Sequence, residues 1–241
     1  MDYILIILLI SFLGPIIGSL IGVLKKPSLP TLYGLLSFSA GVMLAVSFIQ
    51  LIPQSVKLSS GILATAGFGL GCILMFVLDR LLPHIHPGLC SQEQGGKLKR
   101  TAVFLLVGMF LHNFPEGLAM GLGAVTELKF SLIIALSLAI HDLPEGIATS
   151  APYYYCTKNR LRAFLLSAST AIPTIIGFLL AYSVFPSIPI EFVGILSAAT
   201  AGLMVYISVD ELIPSSFNYL SHFSIFSLLA GIMTVMFIGL L

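Results

Sequence analysis

His112-Asn113-Phe114-Pro115-Glu116-Gly117 is followed by a near-copy, His141-Asp142-Leu143-Pro144-Glu145-Gly146, and each phrase is set inside an apolar run long enough to cross a bilayer. At 3.6 residues per turn, positions i, i+1 and i+4 share an arc of roughly 100°. His112, Asn113 and Glu116 are therefore expected to point one way from their helix, and His141, Asp142 and Glu145 one way from theirs. A carboxylate at the depth of a membrane core costs about 2.5 to 3.5 kcal/mol on insertion scales, so such a group faces a partner, an ion or a water-filled path. Two matched sets suggest one shared site for a divalent metal. Pro115 and Pro144 cannot donate to the carbonyls of Leu111 and Ile140, so each helix is expected to bend and free a carbonyl beside the ligands. Gly117, Gly121, Gly123 and Gly146 leave room for close helix approach, and Met120 reads as packing.

Outward from these phrases, the whole chain is apolar. Hydrophobic residues make up 58% of 241 and charged residues 9%, far below the roughly 25% charged of soluble domains. Apolar runs at about 3–24, 31–54, 60–82, 101–124, 130–152, 162–185, 190–213 and 221–240 predict an all-α polytopic membrane protein of eight helices, a single domain over 1–241. The first run lacks the basic start and small-residue cleavage site of a signal peptide and is expected to be retained. Lys25, Lys26, Arg80, Lys97, Lys99, Arg100, Lys158, Arg160 and Arg162 fall on one side of this arrangement, and only Lys57 and Lys129 on the other. The positive-inside rule then places both termini outside and the loop 83–100 in the cytosol. A net charge of +1 gives no reason to expect nucleic acid as a partner. Cys72, Cys90 and Cys156 form no CxxC pair and suggest no disulfide framework.

A second repetition lies in the flanking helices. Ala40-Gly41-Val42-Met43 through Ser47 to Leu51-Ile52-Pro53-Gln54-Ser55 parallels Ala201-Gly202-Leu203-Met204 through Ser208 to Leu212-Ile213-Pro214-Ser215-Ser216, with eight of sixteen aligned residues identical. By the expected topology the two copies run in opposite directions, an inverted repeat of helices 1–3 and 6–8 around a central pair 4–5, which is a transporter signature. Gln50 and Gln54 then lie toward the outer mouth, and Asp210 and Glu211 toward the inner one, where carboxylates suit a cation-release relay. His84, His86 and Cys90 in the 83–100 loop are candidate ligands for transient metal capture or release. Gly14, Gly18 and Gly22 in the first helix read as a packing face, and the Gly67, Gly69 and Gly71 stretch of the third as a packing or dimer-contact element.

Two imidazoles and two carboxylates suit Zn²⁺, with Fe²⁺, Mn²⁺ and Cd²⁺ accepting similar donors, whereas Mg²⁺ and Ca²⁺ prefer all-oxygen shells. Asn113 and Asp142 would form, with the shared glutamates, a second and oxygen-rich position. The HNxPEG and HDxPEG phrases, eight helices and a His-bearing loop between the third and fourth resemble the ZIP (Zrt/Irt-like) family of divalent metal transporters, in its compact prokaryotic form. That resemblance spans the chain. It implies zinc uptake into the cytosol across the inner membrane, a homodimer in the lipid bilayer, no prosthetic group, and an elevator-like motion of helices one, four, five and six against two, three, seven and eight. It also implies a primary site of His112, Glu116, His141 and Glu145, joined at a second site by Asn113 and Asp142. Many members carry Glu before the proline of the sixth helix, where Ile172 precedes Pro173 here, so a second metal is expected to bind weakly or not at all. Many also carry His and Glu at Gln50 and Gln54, and His-Glu at Asp210-Glu211.

Other classes are weighed on the same residues. A metal-selective channel would share the site and the inward electrical driving force. An intramembrane metallohydrolase would need an activated water and a general base. No HExxH phrase or separate base is evident.

Overall fold

The computed structural model describes residues 2–25, 27–81, 112–217 and 222–240, and every regular element among them is helical. The elements are α1 (Asp2–Leu24), α2 (Leu29–Ala45), α3 (Ile52–Leu58), α4 (Gly61–Leu81), α5 (112–126 as described), α6 (Leu128–Thr157), α7 (Arg160–Ala168), α8 (Ala171–Val184), α9 (Ile190–Ile207), α10 (Ile213–Phe217) and α11 (His222–Ile238). Counting α2–α3, α7–α8 and α9–α10 as continuous, six helices among the described residues are long and apolar enough to cross a membrane. The apolar α11 is shorter. Bulky apolar side chains such as Ile62, Leu70, Phe226 and Phe237 lie exposed on the outside, as expected where the surrounding solvent is lipid.

Glycines decide which helices pair. Gly14, Gly18 and Gly22 of α1 lie against Ala139, Leu143 and Ile147 of α6, so the two helices run parallel with their backbones in near contact. The same device joins α2 to α11 through Gly41 and Gly231, α4 to α9 through Gly67, Gly71 and Gly202, and α5 to α8 through Gly117, Gly121 and Gly177. In every pair the contacts ascend together along both chains. Without a hydrophobic drive between helices in lipid, such close backbone approach is what holds them.

The recurring phrase of the flanking helices takes a shape that the sequence does not announce. Between α2 and α3, Val46–Leu51 forms a π turn in which the Ile52 N–H donates to the Ser47 carbonyl. Between α9 and α10, Ser208–Leu212 forms another, with the Ile213 N–H donating to the Ser208 carbonyl. Ser47 Oγ donates to the Met43 carbonyl and Ser208 Oγ to the Met204 carbonyl, each at 2.8 Å. Pro53 and Pro214, with no N–H to give, follow the two turns at the same spacing. The two segments run antiparallel, since Ser55 Oγ donates to Gly194 O at 2.7 Å, Ser197 Oγ to Leu51 O at 3.2 Å, and Ser208 Oγ lies 3.7 Å from Met43 Sδ.

Several boundaries differ from the sequence expectation. The second run continues to Leu58 because the π turn absorbs Pro53. The sixth is broken at Ser169–Thr170, where Pro173 leaves Ser169 O without its usual donor and the Ile172 N–H takes it at 3.0 Å. The fifth is longer than its apolar run: α6 continues from Leu128 to Thr157 as one helix, with Pro144 and Pro152 inside it.

Candidate metal centre

α5 and α6 cross so that their two phrases meet. His112 and Glu116 come from adjacent turns of α5, and His141 and Glu145 from adjacent turns of α6. One ligand atom from each of the four lies within 4.8 Å of all the others. His141 Nε2 stands 2.9 Å from Glu116 Oε1 and 3.8 Å from Glu145 Oε2, and His112 Nε2 stands 3.7 Å from Glu116 Oε1 and 3.6 Å from Glu145 Oε1. Ligands about 2.1 Å from a tetrahedral Zn²⁺ are themselves about 3.4 Å apart, so the four donors already bracket the spacing a small cation requires. All four side chains are buried. His112 Nε2, Glu116 Oε2, His141 Nδ1 and Glu145 Oε2 have no hydrogen-bond partner. Buried unpartnered donors and acceptors are costly, and a cation binding among them is the arrangement that removes the cost.

The two remaining residues of each phrase lie beside this group. Asp142 Oδ1 is 3.3 Å from His141 Nε2, and both Asp142 oxygens lack a hydrogen-bond partner. Asn113 Nδ2 donates to the Thr170 carbonyl at 2.8 Å, which leaves Asn113 Oδ1 buried and unpartnered. The break between α7 and α8 thus orients the amide of α5. Thr174, one turn beyond Thr170, is buried with an unpartnered hydroxyl, and its carbonyl packs on Gly117.

The α7–α8 segment therefore meets α5 through Thr170 at the break and Thr174 in α8. Ile172, which the sequence marks as the α8 position missing a carboxylate, is 52% exposed. Sequence alone does not single out the two threonines, although their i, i+4 spacing beside Pro173 is legible there. Nor does it single out Ser39, whose hydroxyl donates from α2 to the His141 carbonyl at 3.1 Å and so ties α6 to α2 beside the site.

The relay candidates are placed differently. Asp210 and Glu211 sit in the Ser208–Leu212 π turn and are exposed, outside the four-residue group. His84, His86 and Cys90 lie outside the described residues.

The family model described as ZIP Zinc transporter matches residues 86–239, which include both phrases. The chain belongs to the ZIP zinc transporter family. It is 36% identical over 220 residues to "Zinc transporter ZupT" of Salmonella heidelberg (strain SL476), covering 87% of this chain and 85% of that protein. The proteins of the same name from Salmonella newport (strain SL254) and Salmonella typhimurium (strain LT2) match at the same identity and coverage. ZIP membership and the apolar helices make this a multi-pass membrane transporter of metal ions and not an enzyme. The intramembrane hydrolase reading is thereby set aside.

Proposed function

We propose that this ZIP protein moves zinc into the cytosol, with His112, Glu116, His141 and Glu145 as the cargo site and Asn113 and Asp142 as its oxygen-rich extension. The observation that carries the reading is the convergence of four buried, incompletely partnered nitrogen and oxygen donors within 4.8 Å. The names of the relatives supply zinc as the cargo. With an inside-negative potential of about 100 mV, a divalent cation gains roughly 4.6 kcal/mol on entering, which drives inward movement without further coupling provided that the site's own charge is unchanged; proton exchange at His112, His141 or the glutamates would alter that balance.

The chain crosses the inner membrane eight times with both termini outside, and helices 1–3 and 6–8 form an inverted repeat. The matched π turns, the antiparallel course of α2–α3 and α9–α10, and the exchange of pair α2/α11 with α9/α4 and of α1/α6 with α8/α5 all support that relation. Transport is of the elevator type: α1 and α5 to α8 carry the site and slide against the remaining helices, chiefly along α2. Asp210 and Glu211 receive the cation on the cytosolic side, with His84 and His86 beyond them, and α4 contributes its apolar outer face to a homodimer.

Time-resolved zinc uptake into proteoliposomes at imposed voltage, with the wild type beside Glu145→Ala, tests the reading. Saturable flux that vanishes in the variant is the expected result. Equal saturable flux in both would remove the site assignment.

A further inference from the structure

The described glycines sort the helices into two sets. Every close approach that a glycine makes to another helix falls either within α1 and α5–α8 or within α2–α4 and α9–α11. The buried serines keep to the same division. Ser19 bonds Ser167 Oγ at 2.6 Å inside the first set, while Ser55 donates to the Gly194 carbonyl at 2.7 Å and Ser37 to Ser216 Oγ at 3.3 Å inside the second. Where the sets meet, Met43 of α2 and Leu138 of α6 are buried in one apolar core, a contact that has no direction of its own.

Ser39 is the exception. Among the described serines that bond another helix, it alone crosses from one set to the other, and it does so at the carbonyl of a cargo ligand, His141. A serine inside a helix can return its hydroxyl to the carbonyl four residues back, which here belongs to Leu35. The His141 carbonyl, in turn, lies inside the continuous helix α6, where the N–H of Glu145 is its regular donor. Both groups therefore have a partner to fall back on, so this bond can open and close without stranding either one. The repeat names a counterpart. The register that matches Gly41 to Gly202 and Ser47 to Ser208 also matches Ser39 to Thr200, and the two phrases match His141 to His112. Thr200 is 4% exposed, yet it gives its hydroxyl to its own helix, to the Leu196 carbonyl at 2.9 Å. Equivalent positions thus stand in opposite arrangements, one bonded across and the other folded back.

We propose that Ser39 and Thr200 are alternating latches, positioning residues for transport. Ser39 holds the arrangement described here through the backbone of His141. Thr200 holds the opposite arrangement through the backbone of His112, and each hydroxyl returns to its own helix when the other engages. The stopping points of the slide are then set at the ligand-bearing turns themselves, where a bond of fixed direction adds to an apolar contact that has none. This inference rests on the elevator reading and on the inverted repeat proposed above.

Zinc influx and efflux in oriented proteoliposomes test the pair with Ser39→Ala, Thr200→Val and the double variant. Under alternating access, the KM on each side follows the balance between the two arrangements. Ser39→Ala and Thr200→Val are therefore expected to shift the ratio of inward to outward KM in opposite senses, each by roughly two- to tenfold, the scale of one neutral hydrogen bond. The double variant should return toward the wild-type ratio, and Thr200→Ser, which keeps the hydroxyl, should leave it in place. Shifts in the same sense, or ratios that stay at the wild-type value while thermal stability changes, overturn the inference. Should Ser39→Ala yield too little folded protein, Thr200→Val decides alone, because a hydroxyl that serves only its own helix leaves the ratio unmoved. Absence of saturable zinc flux in the wild type would instead defeat the transport reading itself.

Discussion

His141 Nε2 has three carboxylates within 4 Å: Glu116 at 2.9 Å, Asp142 at 3.3 Å and Glu145 at 3.8 Å. Buried carboxylates this close repel one another unless positive charge stands between them. His141→Ala is therefore expected to abolish saturable uptake and also to lower the amount of folded protein. Glu116→Gln keeps the shape and should lose uptake with little loss of protein; both are read by flux and by detergent-extracted yield. A second prediction concerns the α8 position that faces α5. Because Thr174 is buried beside Gly117 whereas Ile172 is 52% exposed, Thr174→Glu should raise the number of cations bound per chain, and Ile172→Glu should not. Metal counting on the two purified variants decides it. The grouping of His112, Glu116, His141 and Glu145 was legible in sequence because i, i+4 spacing on one helix is a local property. Thr170 and Thr174 were not, because their role depends on which helix α8 packs against, and no spacing within α8 says that.

At the level of elements, glycine determines more than proline. Pro144 sits inside α6 without ending it. Neighbouring groups in a helix bundle re-satisfy a carbonyl that proline frees, so proline in lipid is weak punctuation. Gly18, by contrast, lies with no room to spare: a Cβ there would press on the Leu143 carbonyl and come within 3.1 Å of Gly146 Cα. Gly18→Val should cost about 1 to 3 kcal/mol through forced separation of α1 from α6. Gly69, with nothing within 4 Å of its Cβ position, should accept alanine without loss. Thermal unfolding of the two variants in one detergent compares them directly. The glycine faces were visible in the sequence of α1 and α4, yet their partners were not, since a small-residue face specifies contact without specifying with whom. The π turns were hidden for a related reason: the Ser and Pro that flank each turn also suit an ordinary kinked helix.

On the scale of the whole molecule, the glycines among the described residues join the helices in four parallel pairs, each of segments far apart in the chain. Sequence supplied the apolar, all-helical character and the recurring phrase of α2 and α9, because hydropathy and repetition survive in one dimension. The crossing of pairs between the two halves is a three-dimensional fact. It carries a consequence for biosynthesis. α1 emerges early but its glycine face waits for α6, and α2 waits for α11, which begins only at His222. Through most of translation, then, the membrane holds lone helices whose narrow faces touch lipid or the insertion machinery. A chain stopped before α11 should insert and still be cleared by proteases, leaving a far lower steady-state level than the full chain in a pulse-chase comparison, since Gly34 and Gly41 would have nothing to rest against. For this protein the ribosome delivers parts, and quality control is met by assembly that can begin in earnest only when most of the parts are present.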